Sequence, residues 1–427
     1  MSQQAIATAG NSAITLLLIA AVSVTEYGLY SYAIALSSIG MSVMTAGLSG
    51  LAVKQLVANR HQTALIVSTL LLAREIFALG GYILVVIVSL TADEFDIMLA
   101  TLLAASALFG KGLEGPEMWF LSNLRSRATA TLRIAIGIMF LLVRMGALFI
   151  FPSVWLFLTL FASEAFITGI TITVRYLRDN ESPKLIKPNL AAAQKLMRQS
   201  VPLMLSNVAN QINLKGDVVV IQYLLGTTAV GIYSVAAKIS ELSHFVPMIF
   251  MNSLLPGLVK LQGKSSGDTQ EYISVMTRAY RWSFWLGAAV ALLVGGTGYV
   301  LIPIMFGAEY AQAASLLVVH VLSTPFVFMA AVYSKWIIAE GTLWASLTRH
   351  LTGATLNISL CFFLIPKYGV MGAAVATVSS YLVASYVSTF FTRQTRGQGV
   401  LMTQGMLFPL IWAVESINKK HKSRKKL

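Results

Sequence analysis

The sequence predicts an all-α polytopic membrane protein with about twelve transmembrane helices in two pseudo-symmetric six-helix lobes. Three observations lead there: an apolar composition, evenly recurring apolar runs, and one phrase that the chain writes twice. Hydrophobic residues make up 56% of the 427 residues and charged residues 11%, and the mean hydropathy is +0.74. A soluble domain is about one quarter charged, so this chain turns its apolar surface to lipid rather than to one central core. Cys361, the single cysteine, excludes an intrachain disulfide and reads as a small buried side chain in "NISLCFFLIP".

In chain order, the apolar runs fall at 6–24, 28–51, 64–90, 97–113, 129–151 and 154–176, then at 201–225, 230–255, 282–305, 311–338, 351–365 and 370–391. Each approaches the roughly 20 residues that cross a bilayer as a helix. The first run has no Lys or Arg before it and no small-residue cleavage site after it, so it is expected to be a retained helix. Between the sixth and seventh runs lies the most polar connection, "RYLRDNESPKLIKPNLAAAQKLMRQS". It divides the chain into an N-lobe, 1–178, a cytoplasmic linker, 179–199, a C-lobe, 200–392, and a basic tail, 393–427. Within the tail, 401–417 is too polar and Pro-broken to span and is expected to lie at the interface.

The repeated phrase supports that division. "GLYSYAIALSSI" at 28–39 and "GIYSVAAKISEL" at 231–242 align without gaps at an offset of 203, sharing Gly, Tyr, Ser, Ala and a second Ser. Two homologous halves of six helices each would be related by an axis along the membrane normal, as in repeat-built transporters. The later copy carries Lys238 and Glu241 where the earlier has Ala35 and Ser38.

Basic residues set the orientation. One set of turns holds Lys367 against Glu26, Asp93, Glu94, Asp96 and Glu309, whereas the other holds Lys54, Arg60, Arg125, Arg178, Lys187, Lys260 and the tail "KKHKSRKK" among others. This bias places both termini in the cytoplasm. It also accounts for the net charge of +14, with the tail suited to anionic lipid rather than nucleic acid.

Charges within the spans are the functional candidates, because an ionisable group at depth is costly unless it faces water or a partner. Counted from the turn at "GTT", Asp217 and Lys238 lie about ten residues away, and Lys215 and Glu241 about thirteen, so antiparallel neighbours would match them in depth. Arg144 and Glu164 match in the same way about "FPSVW", and Arg133 lies three turns from Arg144 on the same face. The structural alternative is that such pairs only neutralise each other and fix helix register. Arg74, Glu75, Lys111 and Glu114 lie nearer the cytoplasmic interface, where local pairing is expected. His244, His320 and His350 are too scattered for a metal site. "LPGLVKLQGKSSGD" is one residue out of register for a phosphate loop and follows no strand, so no ATP hydrolysis, cofactor or enzymatic activity is expected.

The segments "DVVVIQYLLGTTAVGIYSVAAKISE", "LLPGL" and "NISLCFFLIPKYGVMGAAVATVSSYL" resemble the polysaccharide-transporter branch of the multidrug/oligosaccharidyl-lipid/polysaccharide exporter superfamily, and "PEMWFLSNLRSRATATLRI" resembles its Wzx-type O-antigen flippases. The resemblance implies two six-helix lobes around a central cationic cavity. It also implies translocation of undecaprenyl-pyrophosphate-linked oligosaccharide across the bacterial inner membrane by alternating access. Under it, Lys215, Lys238, Arg144 and Arg133 are the expected substrate-holding bases, and Asp217, Glu241 and Glu164 the charge partners or carriers of H⁺ or Na⁺. Membrane lipids, a polysaccharide polymerase and chain-length proteins are the partners implied. A multidrug or cation antiporter of the same superfamily is the alternative, and would need acids to dominate bases. A membrane glycan polymerase or ligase would need a long outer loop, which the spacing of the runs leaves no room for.

Overall fold

The computed structural model describes residues 2–45, 47–91, 94–247 and 269–409. Among them the regular elements are helices. Eight helical segments of the described residues are long and apolar enough to cross a membrane. The helices covering the remaining expected spans are α1 (Ser2–Ala21), α10 (Leu190–Leu225), α11 (Thr227–Ser243) and α15 (Leu343–Tyr368), which are short, partly described or more polar. The count of twelve therefore rests on the sequence pattern. The phosphate-loop-like string, 255–268, falls outside the described residues.

By compactness the chain forms two units, Met1–Val235 with Met305–Tyr310, and Ala236–Ile304 with Ala311–Leu427. In the first unit, α2 (Val24–Thr45) packs against α4 (Thr63–Ser89), α5 (Phe95–Ala105) and α10. The sequence "SVTE" starts α2: the Ser23 hydroxyl and N–H both donate to the Glu26 carboxylate at 2.8 and 3.0 Å, and the Glu26 N–H donates back to Ser23. This reciprocal capping satisfies backbone donors that a helix start leaves open. The expected span at 97–113 is broken after Ala105 and continues as α6 (Ala107–Gly112). A short α7 (Glu117–Ser122) then leads into the antiparallel pair α8 (Ser126–Ile150) and α9 (Val154–Leu177).

The repeated phrase has a direct structural counterpart inside this unit. The Thr25 and Thr228 hydroxyls hydrogen-bond to each other at 2.9 Å across a sequence separation of 203. A Cβ on Gly28 would sit 2.0 Å from the Thr227 carbonyl oxygen, and one on Gly231 would sit 2.1 Å from that of Val24. Residues 24, 25 and 28 map onto 227, 228 and 231 at the repeat offset, so the first turns of α2 and α11 meet about a local two-fold. Only glycine admits this approach, which is how helices in lipid bring their backbones together.

The linker is not loose against the first unit. The Ile186 N–H donates to the Ser68 hydroxyl at 3.0 Å and the Tyr176 hydroxyl to the Pro183 carbonyl at 2.7 Å. Asp179 closes it from below: Arg125 reaches both its carboxylate oxygens, at 2.8 and 3.0 Å, and Arg175 approaches to 3.3 Å. Burial raises the pKa of Asp179, but the hydrogen bonds from Arg125 and the Glu181 N–H and the nearby guanidinium charges outweigh it and hold the carboxyl below its ordinary value.

In the second unit, α12 (Thr269–Phe306), α14 (Thr324–Glu340) and α17 (Arg393–Met406) share a core of Met276, Tyr280, Met329, Tyr333, Trp336 and Met402. The expected span at 311–338 divides into α13 (Ala311–His320), one 3-10 turn and α14. Along α15 and α16 (Val370–Ser385), buried Asn357 donates to Thr377 and Ser380 at 3.4 and 3.3 Å, with buried Cys361 one turn away. The expected interfacial stretch 401–417 is helical as far as Met406, and residues from 410 lie outside the described range.

Candidate functional site

Three groups of charged side chains sit in the helices of the first unit. The first joins α8 to α9. Arg144, 7% exposed, donates through Nη2 to Glu164 Oε2 at 2.6 Å and through Nη1 to the Asn11 side-chain oxygen of α1 at 3.1 Å. Its guanidinium also lies 6.0 Å from the Phe140 ring centroid. Arg144 stands six residues before the end of α8, about 9 Å along the axis, and Glu164 ten residues past the start of α9, about 15 Å, so the two lie about one turn apart in level and the long arginine side chain bridges the difference. Tyr30 of α2 lies within electrostatic reach of both charges.

Asp217 forms the second group. It is 2% exposed on α10, accepts a hydrogen bond from the Tyr233 hydroxyl of α11 and takes the Val218 N–H at 2.8 Å. Tyr30 and Tyr233 occupy the same position of the repeated phrase; Tyr233 bonds the Asp217 carboxylate, and Tyr30 lies within electrostatic reach of Arg144 and Glu164. Sequence reasoning passed over both; their identity at the 203 offset was the available signal. Lys215 is half-buried on α10, and Lys238 and Glu241 are half-buried on the part of α11 that belongs to the second unit.

Arg133 is drawn into a third group, separate from Arg144. It holds Glu114 at 2.7 Å and Glu117 at 2.5 Å, while Lys111 also binds Glu114 at 2.9 Å. Arg74 of α4, 5% exposed, donates to the Lys111 carbonyl at 2.8 Å. The α6–α7 turn thus places two carboxylates around one guanidinium, about 16 Å down α8 from Arg144. The pairing expected among Arg74, Glu75, Lys111 and Glu114 is present for Lys111 with Glu114, and Glu117 and Arg133 extend it. Trp119 beside this turn is 4% exposed and packs edge-on against Phe120 and Tyr176 at 4.9 and 5.5 Å, so its faces are committed to protein. Among the described residues no group of His, Cys, Asp and Glu could hold a metal ion.

Arg144 and Arg133 are each held by oxygen acceptors that a phosphoryl oxygen could replace. Residues 4–262 match the family described as polysaccharide biosynthesis protein. The chain belongs to this family. It is 23% identical over 206 residues to the capsular polysaccharide biosynthesis protein CapF of Staphylococcus aureus, a match covering 48% of this chain and 52% of that one. The chain thus spans about half the length of that relative. It is 21% identical over 395 residues to a putative O-antigen transporter of Shigella flexneri, covering 86% of this chain and 90% of that one. Among solved structures, the lipid II flippase MurJ in an inward closed conformation superposes with a TM-score of 0.69 at 13% identity, covering 96% and 92% of the two chains. An inward-facing multidrug-resistance MATE transporter of the MOP superfamily gives 0.64 at 14% identity, covering 93% and 96%. This multi-pass membrane protein therefore shares the all-helical fold of MOP-superfamily transporters.

Proposed function

We propose that the chain is a flippase, moving an undecaprenyl-pyrophosphate-linked oligosaccharide from the cytoplasmic to the periplasmic leaflet of the bacterial inner membrane by alternating access. The observation that carries this reading is the Arg144–Glu164–Asn11 group: a guanidinium deep in the helices, held by one carboxylate and one amide. A guanidinium binds phosphoryl oxygens in a two-pronged geometry, so a pyrophosphate can take the place of Glu164 without leaving the arginine unpaired. The carboxylate keeps the cation compensated between transport events. The similarity to proteins named for O-antigen transport and capsular polysaccharide biosynthesis supports the same substrate class.

In this reading Arg144, Arg133 and Lys215 in the first unit, and Lys238 in the second, meet the headgroup at different stages. Asp217, Glu241 and Glu164 act as their partners or carry H⁺ or Na⁺, and the membrane potential assists with about 2.3 kcal/mol per charge per 100 mV. Both termini lie in the cytoplasm, and a polysaccharide polymerase and chain-length proteins receive the product. The test is restoration of surface glycan in a strain lacking the chain. Wild type restores it, and Arg144→Gln at equal membrane abundance restores less than a tenth, with lipid-linked oligosaccharide accumulating unexported. Full restoration by Arg144→Gln would remove this group from the mechanism. Drug resistance conferred without any effect on glycan would favour the antiporter.

A further inference from the structure

Arg349 stands apart from the other buried arginines. Arg144 has Glu164, and Arg74 lies within electrostatic reach of Glu75, Glu114 and Glu117. Arg349, on α15 and 8% exposed, has no carboxylate partner among the described residues; the groups within its electrostatic reach are Tyr333, Tyr280 and His350. Its Nη2 donates to the Ser334 hydroxyl at 2.8 Å and lies 3.2 Å from His350 Nε2, and its Nη1 reaches the Ala330 carbonyl only at 3.3 Å. The Nε donor is buried with no hydrogen-bond partner. Below it, the Tyr333 ring centroid lies 5.5 Å from the guanidinium carbon.

A buried guanidinium without a counter-ion is costly, and neutral acceptors such as a hydroxyl and a carbonyl recover only part of that cost. The position suggests what completes it. Arg349 lies six residues into α15, about 9 Å along the axis from its first residue, near the end of the helix rather than at its middle. Around this end, Trp344 is 72% exposed and Ile338 and Leu351 are also exposed, as expected where a protein surface meets acyl chains and headgroups. A polar end facing headgroups and apolar neighbours facing chains fit a lipid better than a free anion.

We propose that Arg349, framed by Ser334, His350 and Tyr333, seats the phosphodiester of an anionic membrane phospholipid at the α14–α15 end of the second unit. The phosphate oxygens accept from the guanidinium and balance its charge, and the acyl chains lie along the apolar side chains beside it. The site is separate from the Arg144 group, and its occupancy does not depend on what the chain transports.

The full chain, purified in detergent, is titrated with phosphatidylglycerol, with phosphatidylcholine and with inorganic pyrophosphate, and bound ligand is measured together with the thermal midpoint. Wild type retains phosphatidylglycerol at least tenfold more tightly than phosphatidylcholine, and its midpoint rises with the former alone. Arg349→Gln loses the tenfold preference, whereas Arg349→Lys keeps part of it because the charge remains. Equal retention of the two lipids by wild type would overturn the proposal, and that result needs no variant to fold. So would an unchanged preference in Arg349→Gln. A midpoint raised by pyrophosphate but not by phosphatidylglycerol would assign the guanidinium to a soluble or substrate phosphate instead, and the lipid site would be rejected.

Discussion

Replacing Gly28 with alanine probes the contact at which the two copies of the repeated phrase meet. The new Cβ would lie 2.0 Å from the Thr227 carbonyl oxygen, whereas a carbon and a carbonyl oxygen pack at about 3.3 Å or more. The neighbour is backbone, so α2 and α11 have to part by about 1.3 Å. Forced separation of packed elements costs about 1–3 kcal/mol. The Thr25–Thr228 hydrogen bond, 2.9 Å long, is stretched beyond contact, which adds about 0.6 kcal/mol for such a bond in a membrane protein. Alanine recovers about 1 kcal/mol of helix propensity, leaving a net loss of about 1–3 kcal/mol. Gly231→Ala, with its Cβ 2.1 Å from the Val24 carbonyl, should lose a similar amount. The diagnostic is the double variant. One separation relieves both clashes, so the double loss should fall well short of the sum, as expected for coupled neighbours. Thermal unfolding of the purified protein measures the losses, and disulfide formation between Thr25→Cys and Thr228→Cys, slower in the alanine backgrounds, reports the separation. Strictly additive losses, or an unchanged cross-linking rate, would refute a shared two-fold contact.

Arg144→Met should destabilise the protein by about 2–3 kcal/mol, toward the low side for a broken buried pair because Glu164 is one quarter exposed; combining it with Glu164→Gln should recover at least about 1 kcal/mol in a thermal double-mutant cycle. Tyr233→Phe removes a donor to the buried Asp217 carboxylate and should cost about 1.5–3 kcal/mol, the range for hydrogen bonds to charged groups; an unchanged unfolding midpoint would show that Asp217 is held by its other contacts alone. Asp179 has a lowered pKa, so its contribution is present above the unfolded value of about 3.9 and is lost as pH falls through the folded one. Asp179→Asn should therefore unfold at a lower temperature than wild type at pH 7, and the gap should narrow as pH falls below about 3.9, measured by scanning both proteins at a series of acid pH values.

Some of this protein was determined by quantities that run along a single helix or a short turn. Apolar runs gave the membrane class and most spans, because burial in lipid demands about 20 apolar residues whatever the neighbours are. Depth counted from a turn located Arg144 beside Glu164, because antiparallel helices joined by a few residues leave little freedom of register. The glycines that open the repeated phrase, Gly28 and Gly231, meet the opposite backbone, and the threonines three residues before them bond to each other. The tertiary structure decided what depends on which helix faces which. Arg133 shares a face of α8 with Arg144, yet the turn after α6 brings Glu114 and Glu117 to it and separates the two arginines. Tyr233 gains its carboxylate only because α10 sets Asp217 beside it, and Tyr30 comes within electrostatic reach of Glu164 only because α9 packs near α2. Arg349 is one more base of the sequence's basic side, and only the packing of α14 against α15 buries it with no acid among the described residues beside it. A residue's charge is written in the sequence; its counter-charge comes from elements distant along the chain, and no local period specifies it.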